Sequence, residues 1–225
     1  MKLVRSFVLL AAGLALSACA TVEPASRNAP LEAAPLDVAA VQQVIKPSFN
    51  VQRVNVVVPE TLKASEANLY YPLADIVWRE DRGGDRHAQV KAIVAQAADL
   101  GTAGMTGAQP VSVDIQLDRF HSLTEKARYS VGGVHNILFR MAVRDANTGA
   151  FIVAPRQVEA SLKAFGGARA IEAEREGQTQ KVRIIGHVSQ VIAEELAKPI
   201  PVVPGLLVSQ DRKSTRLNSS HRCIS

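Results

Sequence analysis

The sequence predicts an α+β fold, a two-layer sandwich in which two helices pack on one face of a mostly antiparallel sheet of about four to five strands. Three segments alternate apolar and polar residues with the two-residue period of a half-buried strand. Two other segments carry apolar residues at helical spacing. The chain has 225 residues, of which 47% are hydrophobic and 21% charged, values typical of a globular protein.

Residues 1–18 have the organisation of a bacterial lipoprotein signal peptide. Lys2 and Arg5 precede an apolar run that is too short to span a bilayer. The run ends in Leu-Ser-Ala-Cys at 16–19, which resembles a lipobox, the signal after which the cysteine is acylated. We therefore expect lipidation of Cys19, with several acyl chains giving a stable membrane anchor. A plain secretory signal with an accidental cysteine is the alternative.

The anchor predicts a place in the bacterial cell envelope, facing the periplasm. Ala20 follows the cysteine, where an aspartate would resemble an inner-membrane retention signal, so the outer membrane is favoured. Residues 19–46 are rich in alanine and proline and predict a lipidated, flexible tether. The α+β domain is expected over residues 47–198.

The first half of this domain predicts two strands and a helix. Val51–Val58 is rich in β-branched residues and predicts the first strand, and Ala67–Tyr71 predicts a second, shorter one. Asp85 is a suitable N-cap for a helix over Arg86–Leu100, and Gly101 is expected to end that helix.

The second half predicts three strands and the last helix. The alternating segments, each with apolar residues toward the core, lie at 111–117, 137–143 and 158–164. Asp145–Gly149 predicts a hairpin turn, and Thr179–Ala197 predicts a long amphipathic helix. The polar face of the sheet is expected to be solvated and to form cross-strand ion pairs. It carries Asp114, Gln116, Asp118, Arg140, Arg144, Glu159 and Lys163.

The C-terminal residues divide into two parts. Residues 199–210 form an apolar, proline-rich segment, which we expect to be truncated. Residues 211–225 resemble the translation, in one reading frame, of an indexed sequencing adapter. We therefore expect these fifteen residues to be an artefact, and the true C-terminus after Gln210 to be missing.

The net charge of +5 does not belong to the domain. The signal peptide contributes two of these charges, and the segment 211–225 contributes the other three. Residues 19–210 are neutral, so the sequence predicts no nucleic-acid partner. The two cysteines are Cys19 and Cys223, so no disulfide is expected within the domain.

The order of elements is similar to that of small envelope lipoprotein domains. These include auxiliary lipoproteins of ABC-type transporters, the lipopolysaccharide-assembly lipoprotein and the N-terminal domain of the Tol–Pal β-propeller protein. Residues 139–149 resemble their recurrent strand and following turn, which ends in Asp-x-x-Thr-Gly. The whole chain also resembles uncharacterised lipoproteins of alphaproteobacteria, a domain of unknown function. These resemblances imply scaffolding or transport-assisting roles and no shared catalytic residues.

The sequence contains no phosphate-binding loop, nucleophile elbow or zinc-protease motif, so no catalytic residue, cofactor or metal is predicted. His121 and Glu125 lie four residues apart and could form an acid–base pair. A small hydrolase using this pair is therefore an alternative function. A histidine in a loop after a strand is the simpler interpretation.

Aromatic residues are concentrated beside the charged loop 79–86. Tyr70, Tyr71 and Trp78 could form a patch for a protein partner, or they could close one end of the core. The predicted function is a lipid-anchored, non-enzymatic envelope protein that binds a partner in scaffolding or transport. A further alternative is a carrier that holds a lipid or hydrophobic ligand in a cavity between helices and sheet.

Overall fold

The computed structural model describes residues 44–201. The strands are β1 (Val44–Ile45), β2 (Phe49–Val57), β3 (Ile76–Val77), β4 (Gln109–His121), β5 (Gly133–Asp145), β6 (Phe151–Glu159), β7 (Leu162–Ala164) and β8 (Ile200–Pro201). The helices are α1 (Arg86–Thr102), α2 (Glu125–Arg128), α3 (Ala168–Arg175) and α4 (Gln180–Ala197). Cys19, the rest of the signal peptide, most of the tether, and residues 202–225 with the adapter-like stretch lie outside the described residues.

The predicted α+β sandwich with a mostly antiparallel sheet is confirmed. The main sheet has the order β2-β4-β5-β6, with β3 also pairing with β4 and β7 also pairing with β5. Strands β4, β5, β6 and β7 pair antiparallel, whereas β2 and β3 run parallel to β4. The parallel pairing arises because α1 crosses between β2 and β4 and returns the chain to the same end. The sheet has six strands rather than four to five, since β3 and β7 are short additions.

Helices α1 and α4 supply the second layer of the core. Their buried residues pack with the apolar face of the sheet in one cluster. The predicted apolar stripe of α4 is buried at Ile185, Val188, Ile192 and Leu196. Asp85 caps α1 as expected, and Thr179, predicted as the first residue of the last helix, caps α4; each side chain accepts a backbone N–H of the first turn. No helix within residues 44–201 is long and apolar enough to cross a membrane.

The opposite face of the sheet carries the predicted cross-strand ion pairs. Arg144 Nε lies 2.7 Å from Asp114 Oδ2, and Arg140 Nη2 lies 3.0 Å from Asp118 Oδ1. The predicted hairpin turn follows β5, where Asp145 Oδ1 accepts the backbone N–H groups of the turn and Gly149 has a φ of 73°. Each exposed pair contributes about 0–1 kcal/mol, so this face adds solubility more than stability.

Two predicted elements differ from the structure, and two short helices were not predicted. The strand predicted at Ala67–Tyr71 is wrong, because this segment is a loop with no neighbouring strand. The strand predicted at 158–164 is interrupted between β6 and β7. There, Ser161 Oγ accepts hydrogen bonds from Asn136 Nδ2 and the backbone N–H of Ile137. The short helices α2 and α3 lack the long apolar period on which the sequence prediction depended.

Gly101 does not end the first helix, which continues to Thr102. A Cβ atom at position 101 would lie 2.5 Å from the carbonyl oxygen of Ser189 in α4. The glycine therefore permits the close approach of α1 and α4. The helical spacing of Leu100 from the buried Ile93 and Ala97 predicts a buried position, but Leu100 is 57% exposed because the helix turns it away from the sheet.

Candidate functional site

The candidate site is an exposed apolar loop over residues 69–73, which we name the tyrosine loop. Tyr71 is 84% exposed and Leu73 is fully exposed, and Leu69 and Tyr70 are also exposed. Pro72, between these side chains, is buried. Four large apolar side chains on five consecutive residues therefore face solvent, which is unusual for a surface that serves solubility alone.

Hydrogen bonds to the end of β4 and to α2 hold the tyrosine loop in place. Thr124 Oγ1 donates to the carbonyl oxygen of Leu69 over 2.7 Å. His121 Nε2 donates to the carbonyl oxygen of Pro72 over 2.9 Å. Just before the loop, Asn68 Oδ1 accepts the backbone N–H of Lys126. The loop is thus attached on both sides of its exposed tyrosines.

Ion pairs join Glu66, three residues before the tyrosine loop, to Arg79 and Arg86 of the charged segment 79–86. Arg86 is buried and donates from Nε and Nη2 to the two carboxylate oxygens of Glu66, over 2.5 and 2.8 Å. These hydrogen bonds lower the pKa of Glu66 below its usual range. Arg79 also lies between Glu66 and Glu125, and its Nε is 2.5 Å from Glu125 Oε2. The charged loop is therefore an internal support for the tyrosine loop.

The structure separates the three aromatic residues of the predicted partner patch. Trp78 is fully buried, its ring meets the Phe120 ring edge to face, and its Nε1 donates to Asp81 Oδ2 over 2.8 Å. Trp78, which directly follows β3, therefore lies in the core and closes one end of it, the second of the two roles that the sequence allowed, and it is not part of an exposed patch. Tyr70 and Tyr71 remain accessible, and their role in partner binding stays a prediction.

His121 and Glu125 each bind a different group. The His121 ring holds the tyrosine loop through Pro72, and the Glu125 carboxylate pairs with Arg79. Burial acts to raise the pKa of Glu125, but hydrogen bonds, chiefly from Arg79, lower it below its usual range. Glu125 is therefore ionised and paired, and both side chains act as supports of the loop.

A polar cluster that the sequence did not predict is buried beneath α4. Ser122 Oγ lies 3.1 Å from His135 Nδ1 and donates to Gln180 Oε1 over 3.2 Å. These three buried side chains form a hydrogen-bonded chain between the end of β4, β5 and the start of α4. Burial lowers the pKa of His135 to about 3, assisted by the nearby Arg183 and Arg128. The alternation of β5 is the signal that could have predicted its burial. His135 lies two residues before Ile137, so both side chains point to the core face of the strand.

Within residues 44–201, no three acidic, histidine or cysteine side chains are grouped closely enough to hold a metal ion. The tyrosine loop and the buried Ser122 cluster are connected through β4, whose last residues contact both. The exposed apolar loop and the buried polar cluster therefore lie at the same end of the sandwich.

Comparison with known proteins gives the family of this domain. Residues 49–206 match a family of unknown function, DUF6778. The chain belongs to this family. The DUF6778 match begins at the first residue of β2 and includes the whole main sheet, the tyrosine loop and α4. Among curated proteins, no sequence matches the chain.

Two solved structures are similar to the DUF6778 chain at low identity. A candidate lipoprotein from Caulobacter crescentus CB15 has 14% identity and a TM-score of 0.31, over 64% of this chain and 87% of its own. A second protein, described as uncharacterized, has 13% identity and a TM-score of 0.32, over 66% of this chain and 87% of its own.

Proposed function

We propose that this protein is a lipid-anchored envelope protein whose domain binds a protein partner through the tyrosine loop. The observation that carries this proposal is the exposure of four apolar side chains on a loop that hydrogen bonds and ion pairs hold in place. Tyrosine is enriched at protein interfaces, where its ring contributes a large apolar area and its hydroxyl a hydrogen bond.

The fixed backbone of the loop favours binding. A partner that docks on a mobile loop must offset the entropy lost when the loop becomes ordered. Here Thr124, His121 and Asn68 already hold the loop, so a smaller loss of loop entropy opposes binding of the partner. In this proposal, the domain acts in scaffolding or in assisting transport and does not catalyse a reaction.

The support for a non-enzymatic role is the use of the candidate catalytic side chains as structural supports. Glu125 and His121 engage Arg79 and Pro72, and the Ser122 hydroxyl is buried and donates to Gln180. The anchor is proposed to be Cys19, with the domain facing the periplasm and the outer membrane favoured by Ala20. An alphaproteobacterial source fits the sequence resemblance.

The proposal is tested by placing a photoreactive phenylalanine analogue at Tyr71 in the full chain, expressed in its own host. Irradiation of intact cells is expected to yield a discrete crosslinked species, because Tyr71 is largely exposed on a fixed loop. The matched control carries the same residue at Leu100, which is also exposed but lies about 21 Å along α1 from Arg86. Equal products at both positions, or none at Tyr71, would show that the tyrosine loop is not the binding surface.

A further inference from the structure

A second surface of the domain is an apolar groove at the other edge of the sheet. The groove has a volume of about 480 Å³ and lies between β6, the end of α4 and the residues that lead into β8. Val153 and Ile200 line its two sides, and Phe49, Val143 and Leu196 form its base. Because these base residues belong to the core, the groove is an opening between the sheet and helix layers.

The size and lining of the groove suit a small apolar ligand. Ligand sites occupy about 300–1,000 Å³ and combine apolar walls with a few polar groups at fixed positions. The polar groups here are Arg156, Glu195 and Lys198, which meet at the rim. The rest of the lining consists of apolar or proline residues.

The rim carries two cations and one anion. Arg156 Nη1 lies 2.6 Å from Glu195 Oε2, and Lys198 Nζ lies 2.5 Å from Glu195 Oε1. The Glu195 side chain is mostly covered, whereas the side chain of Lys198 is 55% exposed and that of Arg156 is 36% exposed. The accessible charge at the mouth of the groove is therefore positive, which is complementary to an anionic ligand head group.

We propose that this groove binds one acyl chain of an anionic membrane phospholipid, with the phosphate at Arg156 and Lys198. The groove accommodates the chain among core side chains, and the two cations recognise the head group. This site is distinct from the tyrosine loop, so lipid binding is a further activity of the domain beside partner binding.

Two features favour a lipid over an extended peptide as the occupant. A peptide that joined the sheet would pair with the edge of β6 that no strand within residues 44–201 covers, but Pro155 in that strand has no N–H to donate. The segment that leads from the anchor enters the domain at β1, which pairs with β8 in the wall of the groove. The membrane connection therefore reaches the domain beside the groove, an argument that rests on the proposed anchor.

The test uses the purified full chain with vesicles of phosphatidylethanolamine and phosphatidylglycerol, in which part of the phosphatidylglycerol has a photoreactive acyl chain. After irradiation, we expect mass spectrometry to locate the label on peptides that contain Val153, Leu196 or Ile200. Label confined to peptides outside the groove would overturn the proposal. Cys19 acylation is measured on the same sample. Absence of the lipid anchor is thereby distinguished from absence of lipid binding in the groove.

Two variants establish the specificity of this labelling. Val153→Trp is expected to fill the groove and reduce the label in groove peptides, whereas Val57→Trp, on exposed β2, is the matched control. Lys198→Gln is expected to reduce labelling by phosphatidylglycerol about fivefold and to reduce labelling by a phosphatidylcholine probe less, because the choline cation offsets the charge of the phosphate. Because Lys198 is exposed, Lys198→Gln is expected to fold, and it still tests the proposal if the tryptophan variant unfolds. Unchanged labelling in Lys198→Gln, or a peptide instead of lipid in native mass spectra, would contradict the proposal.

Discussion

Individual buried polar residues in this protein act mainly as structural supports. Arg86 is enclosed and joined to Glu66 through two hydrogen bonds, and His135 is enclosed beside Ser122. Within the described part of the chain, His135 Nε2 has no hydrogen-bond partner. Protonation there would place a charge in the core near two arginines, which explains why the pKa of His135 falls to about 3.

His135 is expected to make stability depend on pH between about 6.5 and 3. Above pH 6.5 the imidazole is neutral in both states and contributes no pH dependence. Below it, the unfolded chain takes up a proton that the folded protein takes up only near pH 3, so the free energy of unfolding falls by up to about 1.4 kcal/mol per pH unit. Urea unfolding at pH 7, 6 and 5 measures this slope before the carboxylates titrate.

His135→Gln should flatten the slope between pH 6.5 and 5, whatever its effect on stability at pH 7. His187→Gln, on the partly exposed side of α4, is the matched control and should keep the wild-type slope. If the free energy of unfolding depends on pH in the same way in wild type and His135→Gln, this histidine is not the source of the pH dependence.

At the level of elements, strand and helix periodicity predicted most of the fold, and contacts between elements set the exceptions. The alternation over β4 and β5 survives because both strands are central and have one face in the core. The segment 67–71 pairs with no strand in the described part of the chain, and its last three residues belong to the tyrosine loop. Gly101 has the sequence signature of a helix end, yet its role is the contact between α1 and α4.

This close contact predicts opposite effects for two helical glycines. Gly101→Ala should lower the free energy of unfolding by about 1–3 kcal/mol, since its Cβ would overlap the backbone of Ser189. Gly186→Ala in α4 should raise it by about 0.5–1 kcal/mol, since a Cβ there meets no atom within 4 Å and alanine favours the helix. Thermal and urea unfolding measure both changes. A stabilising Gly101→Ala would mean that the helices are farther apart.

For the whole molecule, the proposed arrangement is a domain with two binding surfaces, joined through its N-terminal segment to a membrane. The tyrosine loop lies beside α2, and the groove lies beside β8, where the N-terminal segment enters through β1. A partner and a lipid could therefore bind the same domain without competing for one surface.

The proposed anchor predicts that cells fed radiolabelled palmitate incorporate the label into the wild-type chain and lose it in Cys19→Ser. In the proposed anchor, the thiol of Cys19 receives the lipid, because this residue ends the lipobox-like sequence. Cys223→Ser, which removes the other cysteine of the sequence, should retain the label. Labelled Cys19→Ser protein would contradict the anchor, and membrane fractionation of the wild type would test the preference for the outer membrane.

The sequence by itself determined the α+β class, the two long helices with the Asp85 cap of the first, and the charge-paired face of the sheet. These features follow from residues that are neighbours along the chain or repeat with a regular period. Only the tertiary structure decided that Trp78 is buried while Tyr70 and Tyr71 are exposed, that β2 runs parallel to β4, and that Ser122 meets Gln180. The last contact joins residues 58 positions apart, and no local pattern encodes such a separation. The candidate sites depend on the same long-range packing, which is why the sequence located the aromatic residues but left open whether Trp78 lies at the surface or in the core.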